Sequence, residues 1–458
     1  MKIITERVVV SSSAQPPDNI GPGDRRTPVV VVAGLHGDPA GSVDLVADAL
    51  GEAPGTVVVR HDLTQLGEGI VRRTVRHNGT RTVSVHELAH GCVSCTLKAD
   101  LLPLLCTLAA RDSVDRIVLA LDPAIEAESV CQGITEVIVA GVIGRVDGPA
   151  ARDVRIAAVL AGIDARTWLM AATGDDALDE LGWAWADDDR TIAQLAVGQV
   201  EFADALVITG SEAVDPLDRA RLGAVLSRLI PQAPALWAGA SGSVSRDEAE
   251  NLLTRIPAGS RRGRIFDAHA PLLRGQPPLG PECGVELVEF TSDRPFHPER
   301  LHEALDVLFE GVVTARGRVW LATQPDEVVW LESAGGGLRI GGAGRWLAAM
   351  TPAERAEVDP ERAAMAGLRW DDRFGDRDNS LVVLVHDADP DEIRAVLDGA
   401  LVDDDELRLV ERAPRQVARW PDPFGEWHTD PCEPDEPHPA ATGEGRSGDT
   451  GERARKEK

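Results

Sequence analysis

Val29-Val30-Val31-Val32-Ala33-Gly34-Leu35-His36-Gly37 is the stretch whose reading decides the fold. Its apolar run is unbroken and rich in β-branched residues, so it reads as a strand buried on both faces. Gly34 and Gly37 open a turn, and residues 43–50 resume with helical spacing. Strand, glycine turn and helix in that order begin a βαβ unit. Working outward, further strand patterns lie at 56–60, 116–121, 154–163, 205–208 and 235–237, with helical patterns between them. This alternation predicts a parallel, doubly wound α/β sheet with its site at the strand carboxyl ends. Residues 70–76 and 81–85 flank His77-Asn78-Gly79-Thr80, a turn signal that predicts a hairpin.

A second stretch carries chemistry. In Ala89-His90-Gly91-Cys92-Val93-Ser94-Cys95-Thr96-Leu97-Lys98-Ala99-Asp100-Leu101-Leu102, two thiols sit three residues apart. They follow strand-like Thr82-Val83-Ser84-Val85 and precede a helical pattern of Leu97, Leu101, Leu104, Leu105 and Leu108. Both sulfurs therefore fall on a strand-to-helix turn, where the helix N-terminus lowers thiol pKa values. Cys92 and Cys95, with His90 beside them, are the candidate metal ligands. A structural zinc wants four thiolate or imidazole ligands, so a distant His or Cys would have to complete the set. Ordinary buried thiols are the plainer alternative, and Cys106 on the following helix reads as a core residue. No thioredoxin pattern surrounds the pair, which disfavours a redox role. His428 and Cys432, with His438 further on, form a weaker second cluster in a loose tail. Cys131, Cys283, His297 and His302 read as core or surface residues, His297 capping or packing at a helix start.

The chain has 458 residues, enough for two or three domains with sizeable cores. No apolar run reaches membrane-spanning length, and the first residues lack a signal peptide's apolar core, so a cytoplasmic protein is expected. Six scattered cysteines do not make a disulfide framework. The formal net charge of −28 argues against a large nucleic-acid interface, which needs a basic face. It suits solubility, or association with a basic protein partner.

Composition divides the chain. Residues 1–27 are turn-rich and read as a flexible leader. Residues 28–255 hold the α/β domain, and the Pro-, Gly- and Arg-rich segment 256–284 reads as a linker or long loop. Residues 285–410 mix strands (285–290, 312–322, 328–333, 337–340, 381–386) with helices (from Pro298, 351–366, 390–397), predicting a smaller α+β domain. Residues 411–458 form a tail, disordered from about 433 onward.

Taken together, Gly34–Gly37, Cys92–Cys95 and the later motifs resemble the CobW-like P-loop GTPases, often described as zinc metallochaperones. Arg294-Pro295-Phe296-His297-Pro298-Glu299-Arg300-Leu301, Gly317-Arg318-Val319-Trp320-Leu321-Ala322 and Gly344-Arg345-Trp346 are similar to the family's C-terminal domain. Gln199-Val200-Glu201-Phe202-Ala203-Asp204 and Asp164-Ala165-Arg166 are similar to its GTPase-domain landmarks. The resemblance spans roughly residues 28–407 and implies a P-loop NTPase-like doubly wound sheet followed by a CobW C-terminal domain.

The nucleotide motifs depart from the family pattern. A working P-loop turns backbone N–H groups toward phosphates and supplies a Lys for charge and a Ser or Thr for Mg²⁺. Here Ala40 stands in the Lys position and Gly41 in the hydroxyl position, with Ser42 one place late. Pro39 removes a backbone donor, and Asp38 places negative charge where phosphate would sit. After strand 116–121 the chain reads Ala120-Leu121-Asp122-Pro123, and Thr209-Gly210-Ser211-Glu212 replaces the guanine-reading Asn-Lys-x-Asp. Gly34, Gly37, Ser42, Asp122 and Glu212 are thus expected to mark a vestigial nucleotide site. GTP and Mg²⁺ are doubtful cofactors, and no efficient enzyme is expected. The cysteine motif also departs: the family's Cys-x-Cys-Cys is Cys92-Val93-Ser94-Cys95, which leaves two thiols for Zn²⁺.

Within the family, Ala89–Thr96, Trp330–Arg339 and Asp422-Pro423-Phe424-Gly425-Glu426-Trp427-His428 resemble an actinobacterial branch of ribosome hibernation factor-recruiting factors. That branch is expressed under zinc starvation in mycobacteria. The resemblance implies an adaptor that brings a ribosome hibernation factor to the small ribosomal subunit. The alternative it leaves open is a GTP-dependent zinc metallochaperone serving a client protein.

Overall fold

A computed structural model of the chain describes residues 3–6, 24–35, 41–88, 93–180, 188–239, 242–265, 268–273 and 275–425. At 3–6, Ser94, Cys95 and Leu97 only the backbone is described. Ile3–Glu6 (β1) belongs to the second of two large sheets. The first is built from Thr27–Gly34 (β2), Thr56–Asp62 (β3), Ile70–His77 (β4), Thr80–Glu87 (β5) and Arg116–Ala120 (β6). A small pair, Ile138–Val139 (β7) and Gly148–Pro149 (β8), stands apart. Val154–Asp164 (β9), Ala205–Thr209 (β10) and Ala235–Trp237 (β11) complete the first sheet, in the order β11-β10-β9-β2-β6-β3-β4-β5. Its neighbours are parallel except at the β3–β4 and β4–β5 pairs.

Ser42–Gly51 (α1), Val93–Thr96 (α2), Leu102–Ala109 (α3), Ala127–Glu136 (α4), Trp168–Thr173 (α5), Ile192–Glu201 (α6), Pro216–Leu229 (α7) and Arg246–Arg255 (α8) form the crossovers and flanks. The valine run explains the double winding. Val30 and Val32 pack under α1 and α8, while Val29 and Val31 pack under α3 and α4. Burial of alternate residues on opposite faces leaves no polar side, which is why the strand shows no alternation. The hairpin forms as expected, with Asn78 (φ 49°) and Gly79 (φ 76°) both left-handed in its turn.

The second sheet runs β1-β15-β14-β13-β16-β12, from Glu286–Ser292 (β12), Val312–Val319 (β13), Glu327–Ala334 (β14), Gly337–Arg345 (β15) and Asn379–Val385 (β16). Its pairs are antiparallel except β1 on β15. Pro298–Ala304 (α9), Pro352–Glu357 (α10), Pro360–Arg369 (α11), Pro390–Ala400 (α12) and Asp404–Arg412 (α13) accompany it. Asn379 joins two of the quoted motifs: its side-chain N–H donates to Arg294 O (2.6 Å), and its oxygen accepts from Trp320 N (2.7 Å).

The structure departs from the sequence reading at the leader and at the helix expected over 351–366. Ile3–Glu6 is a strand within what reads as a flexible leader, and Thr27 already belongs to β2. The helix expected over 351–366 is two, because Pro360 steers Asp359 out of the helical region. Asp359 then caps α11, accepting from Glu361 N and Arg362 N. The acidic run 403–406 is the capping box and first turn of α13, where carboxylates meet the positive end of the helix. The described residues of 256–284 follow the long-loop reading, and part of that loop packs against the first domain. Arg262 donates its backbone N–H to Asp204 (2.8 Å) and its guanidinium to Ala157 O (2.6 Å), while Arg261 lies over the Phe202 ring. Of the two roles expected for His297, packing is the one it has: its side chain makes no cap hydrogen bond and its ring stacks on Trp420 at 4.9 Å.

The two sheets share one apolar core, in which Leu287, Val313, Val382 and Leu384 meet Ala193, Val197, Leu206 and Leu226. Arg316 of β13 pairs with the nearly buried Glu201 of α6 at 2.7 Å. The turn Gly335-Gly336-Gly337 between β14 and β15 seats against the end of α5 and the start of α6. Gly336 N donates to Gly174 O (3.0 Å). A Cβ on Gly335 would collide with Gly174 O and lie 2.7 Å from Ala193 Cβ, and one on Gly337 would lie 2.6 Å from Thr191 Oγ1. Gly335 also has φ +48°, which a side chain disfavours. Gly335→Ala is therefore expected to cost about 2–4 kcal/mol in urea unfolding. Gly342→Ala, which meets nothing within 4 Å, should stay within about 0.5 kcal/mol.

Candidate functional site

The parallel strands set their carboxyl ends along one edge. Gly34 pairs in register with Gly162, Val32 with Ala120, and Asp164 with Thr209. Strand order reverses at β2, since the chain leaves it toward β3 and β6 on one side and later adds β9 and β10 on the other. Such a switch point is where open α/β sheets bind ligands.

Packing alone accounts for Gly34. A Cβ there would lie 2.6 Å from Gly162 O and 2.9 Å from Val43 Cγ2. Ser42 opens α1 and is buried against β9, its hydroxyl 2.5 Å from where a Cβ on Gly162 would stand. Gly41 precedes it without a side-chain cap. Gly37 and the altered positions Asp38, Pro39 and Ala40 lie outside the described residues. Asp122 holds the loops after β3 and β6, its carboxylate accepting from Leu63 N and Ala124 N, each at 3.2 Å. The segment after it is held from α6 and from the residues just before that helix: Gln199 donates to Pro123 O (3.1 Å) and Arg190 to Ala124 O (3.0 Å). Glu212 is exposed on the short turn after β10. Beside it, Arg166 and Asp164 pair across Gly210, and the guanidinium holds the Asp164 carboxyl below the usual carboxylate range.

For the metal candidates, His90 and Cys92 lie outside the described residues, as do the tail residues His428, Cys432 and His438. Cys95 lies in α2, with only its backbone described. The helix then takes an irregular course: Leu97–Leu101 is a π turn before α3 resumes. A π turn inserts an extra residue per turn and re-aims the side chains it carries. It carries Asp100, a cluster member that the sequence reading missed.

Asp100 is buried and bonded on both oxygens. His61 Nε2 lies 2.7 Å from Oδ2, Arg73 pairs with Oδ1, and His86 Nδ1 stands 3.6 Å from Oδ1. Ser84 Oγ meets His86 at Nε2 (2.9 Å). Burial raises the Asp100 carboxyl, but His61, Arg73 and His86 together outweigh it and hold it below its ordinary value. His61, Arg73 and His86 come from β3, β4 and β5, one from each strand, on the face turned toward the thiol-bearing helix. Strand alternation was the signal that would have placed them together. Among the described residues no group of three or more His, Cys, Asp or Glu is arranged to hold a metal, and Arg73 fills the place of a cation at Asp100. Cys106 and Cys131 are buried thiols, and burial pushes Cys106 up to about 11. Neither is a ready thiolate ligand.

Residues 51–236 match the CobW/HypB/UreG nucleotide-binding domain, and residues 285–401 match the cobalamin synthesis protein CobW C-terminal domain. The first match begins C-terminal to the Gly34–Ser42 turn. A Mycobacterium tuberculosis protein named as a zinc chaperone is 46% identical over 411 residues, covering 89% of this chain and 95% of its own length. The zinc-regulated GTPase metalloprotein activator 1 of Dictyostelium discoideum is 24% identical over 84% of this chain and 82% of its own length. The solved Zn(II)-bound YjiA GTPase from E. coli covers 82% of this chain and 99% of its own, at 14% identity and a TM-score of 0.34.

Proposed function

This chain belongs to the CobW family, and from that premise we propose that it is a zinc-handling adaptor without efficient GTP hydrolysis. Under zinc scarcity it recruits a ribosome hibernation factor to the small ribosomal subunit. Cys92, Cys95 and His90 are its zinc ligands, and zinc is what it senses or carries. The observation that supports the non-hydrolytic reading is the condition of the carboxyl-end site. Asp122 there holds backbone amides of two loops, and the sequence at the turn has Ala40 where a phosphate-binding Lys is needed. A family member with a working sheet and an altered phosphate turn keeps the scaffold's surfaces for partners.

A GTP-dependent zinc metallochaperone is the second reading, favoured by the 46% identical relative that carries the name zinc chaperone. Titration with a fluorescent GTP analogue, with and without zinc, separates the two. The adaptor reading expects weak or no binding and no zinc-stimulated phosphate release. Sub-micromolar affinity together with zinc-stimulated turnover overturns it in favour of the chaperone.

A further inference from the structure

The outer end of the first sheet carries a surface that neither the nucleotide site nor the thiol turn uses. Among the described residues β5 is an edge strand, hydrogen-bonded to β4 on one side only. One face of the β4–β5 hairpin is internal: Val71 and Val75 pack into the core, and Arg73 and His86 reach Asp100. The opposite face is open. Register places Arg60, Thr74 and Val83 in one row across β3, β4 and β5, Val58, Arg76 and Arg81 in the next, and Asp62, Arg72 and Val85 in the third. Helix α1 covers the inner margin, where Asp44 pairs with Arg60 and Asp48 with Arg76. Beyond that margin Val83 is 50% and Val85 60% exposed, and Arg72 and Arg81 are exposed with no ion pair among the described residues.

In a chain of net charge −28 this is a local concentration of arginine around two bare valines on an unpaired strand edge. We propose that the β4–β5 hairpin is a docking edge for an acidic strand of a partner protein. The partner segment pairs its backbone along β5, lays alternate apolar side chains over Val83 and Val85, and presents carboxylates to Arg72 and Arg81. Charge complementarity selects this occupant. A nucleic acid would meet only two unpaired arginines, no aromatic side chain for its bases and a strongly negative field beyond them. A second copy pairing β5 to β5 would bring arginine rows together. The chain's own acidic tail is interrupted by Pro431, Pro434, Pro437 and Pro439, which cannot sustain a ladder. Of the outward positions of β5, Arg81 and Glu87 carry the charge that guards an edge against aggregation, and Val83 and Val85 between them are bare.

The test is fluorescence anisotropy on the full chain. Its probes are labelled, blocked peptides of about eight residues alternating Glu with Val, their Lys–Val counterparts, and the Glu–Val peptide N-methylated at alternate amides. Binding of the Glu–Val peptide is expected, weakened at least about tenfold by Arg72→Glu/Arg81→Glu and by N-methylation, with the Lys–Val peptide inert. Circular dichroism and the melting temperature of the double variant should match the parent, since both side chains are exposed. Equal binding of methylated and unmethylated peptides overturns the strand-pairing proposal, as does equal binding by parent and variant. Tighter capture of single-stranded polyuridylate than of the Glu–Val peptide assigns the edge to nucleic acid instead and overturns it as well.

Discussion

Asp100→Ala is expected to lower the unfolding free energy by about 3 kcal/mol, near the lower end of what removing one partner of a buried ion pair costs. The carboxylate is bonded to His61 and Arg73 in a pocket where the His61 side chain is 6% and the Arg73 side chain 19% exposed. Its removal strands a guanidinium and an imidazole without their acceptor. By contrast, Arg394→Ala should cost less than about 1 kcal/mol, because Asp391 opposite it is 93% exposed. Urea denaturation of both variants checks the pair, and a loss below about 1 kcal/mol for Asp100→Ala would mean the cluster does not hold the thiol-bearing helix. The pH profile follows from the sign of the shift. Asp100 sits below its ordinary value in the fold, so its stabilisation is complete above the usual carboxylate range. It is lost as pH falls from that range through the folded-state value. Asp100→Asn should flatten that acid limb.

Cys92→Ser/Cys95→Ser is expected to abolish stoichiometric zinc binding and leave the melting temperature of the metal-free protein unchanged. The serine hydroxyl is a poor zinc ligand at neutral pH, whereas a thiolate at a helix start is a good one. Elemental analysis after gel filtration reads the metal, and thermal unfolding with a chelator reads the fold. Single variants distinguish a shared site from two independent thiols, because either one alone should then remove most of the zinc. Unchanged metal content in the double variant would move zinc binding away from this turn. Cys106 would be a poor replacement, since burial pushes its thiol to about 11.

The contrast between these two sites shows what a sequence displays. The valine run of β2 was legible because burial on both faces erases alternation, and the Asn78-Gly79 turn because both positions need left-handed backbone. The thiol pair was legible as a motif, since its two members are three residues apart. The Asp100 cluster was not, because His61, Arg73, His86 and Asp100 come from four separate elements. A π turn that sets the direction of Asp100 leaves no compositional trace. β1 was hidden for a related reason: four residues in a polar leader become a strand only by pairing with β15, more than three hundred residues away. The three glycines 335–337 lie within the Trp330–Arg339 motif, and their reason, the close seat on α5 and α6 in the other domain, is visible only in the fold. Pro360 was visible, and its effect on Asp359 is what splits the helix expected over 351–366.

Zinc-dependent recruitment is the centre of the account, and affinity purification of the tagged chain from zinc-starved and zinc-replete host cells tests it most directly. Mass spectrometry of the bound fraction should recover a ribosome hibernation factor with small-subunit proteins, enriched under starvation. Recovery of a zinc enzyme instead, with no ribosomal material in either condition, would contradict the adaptor and point to metal delivery.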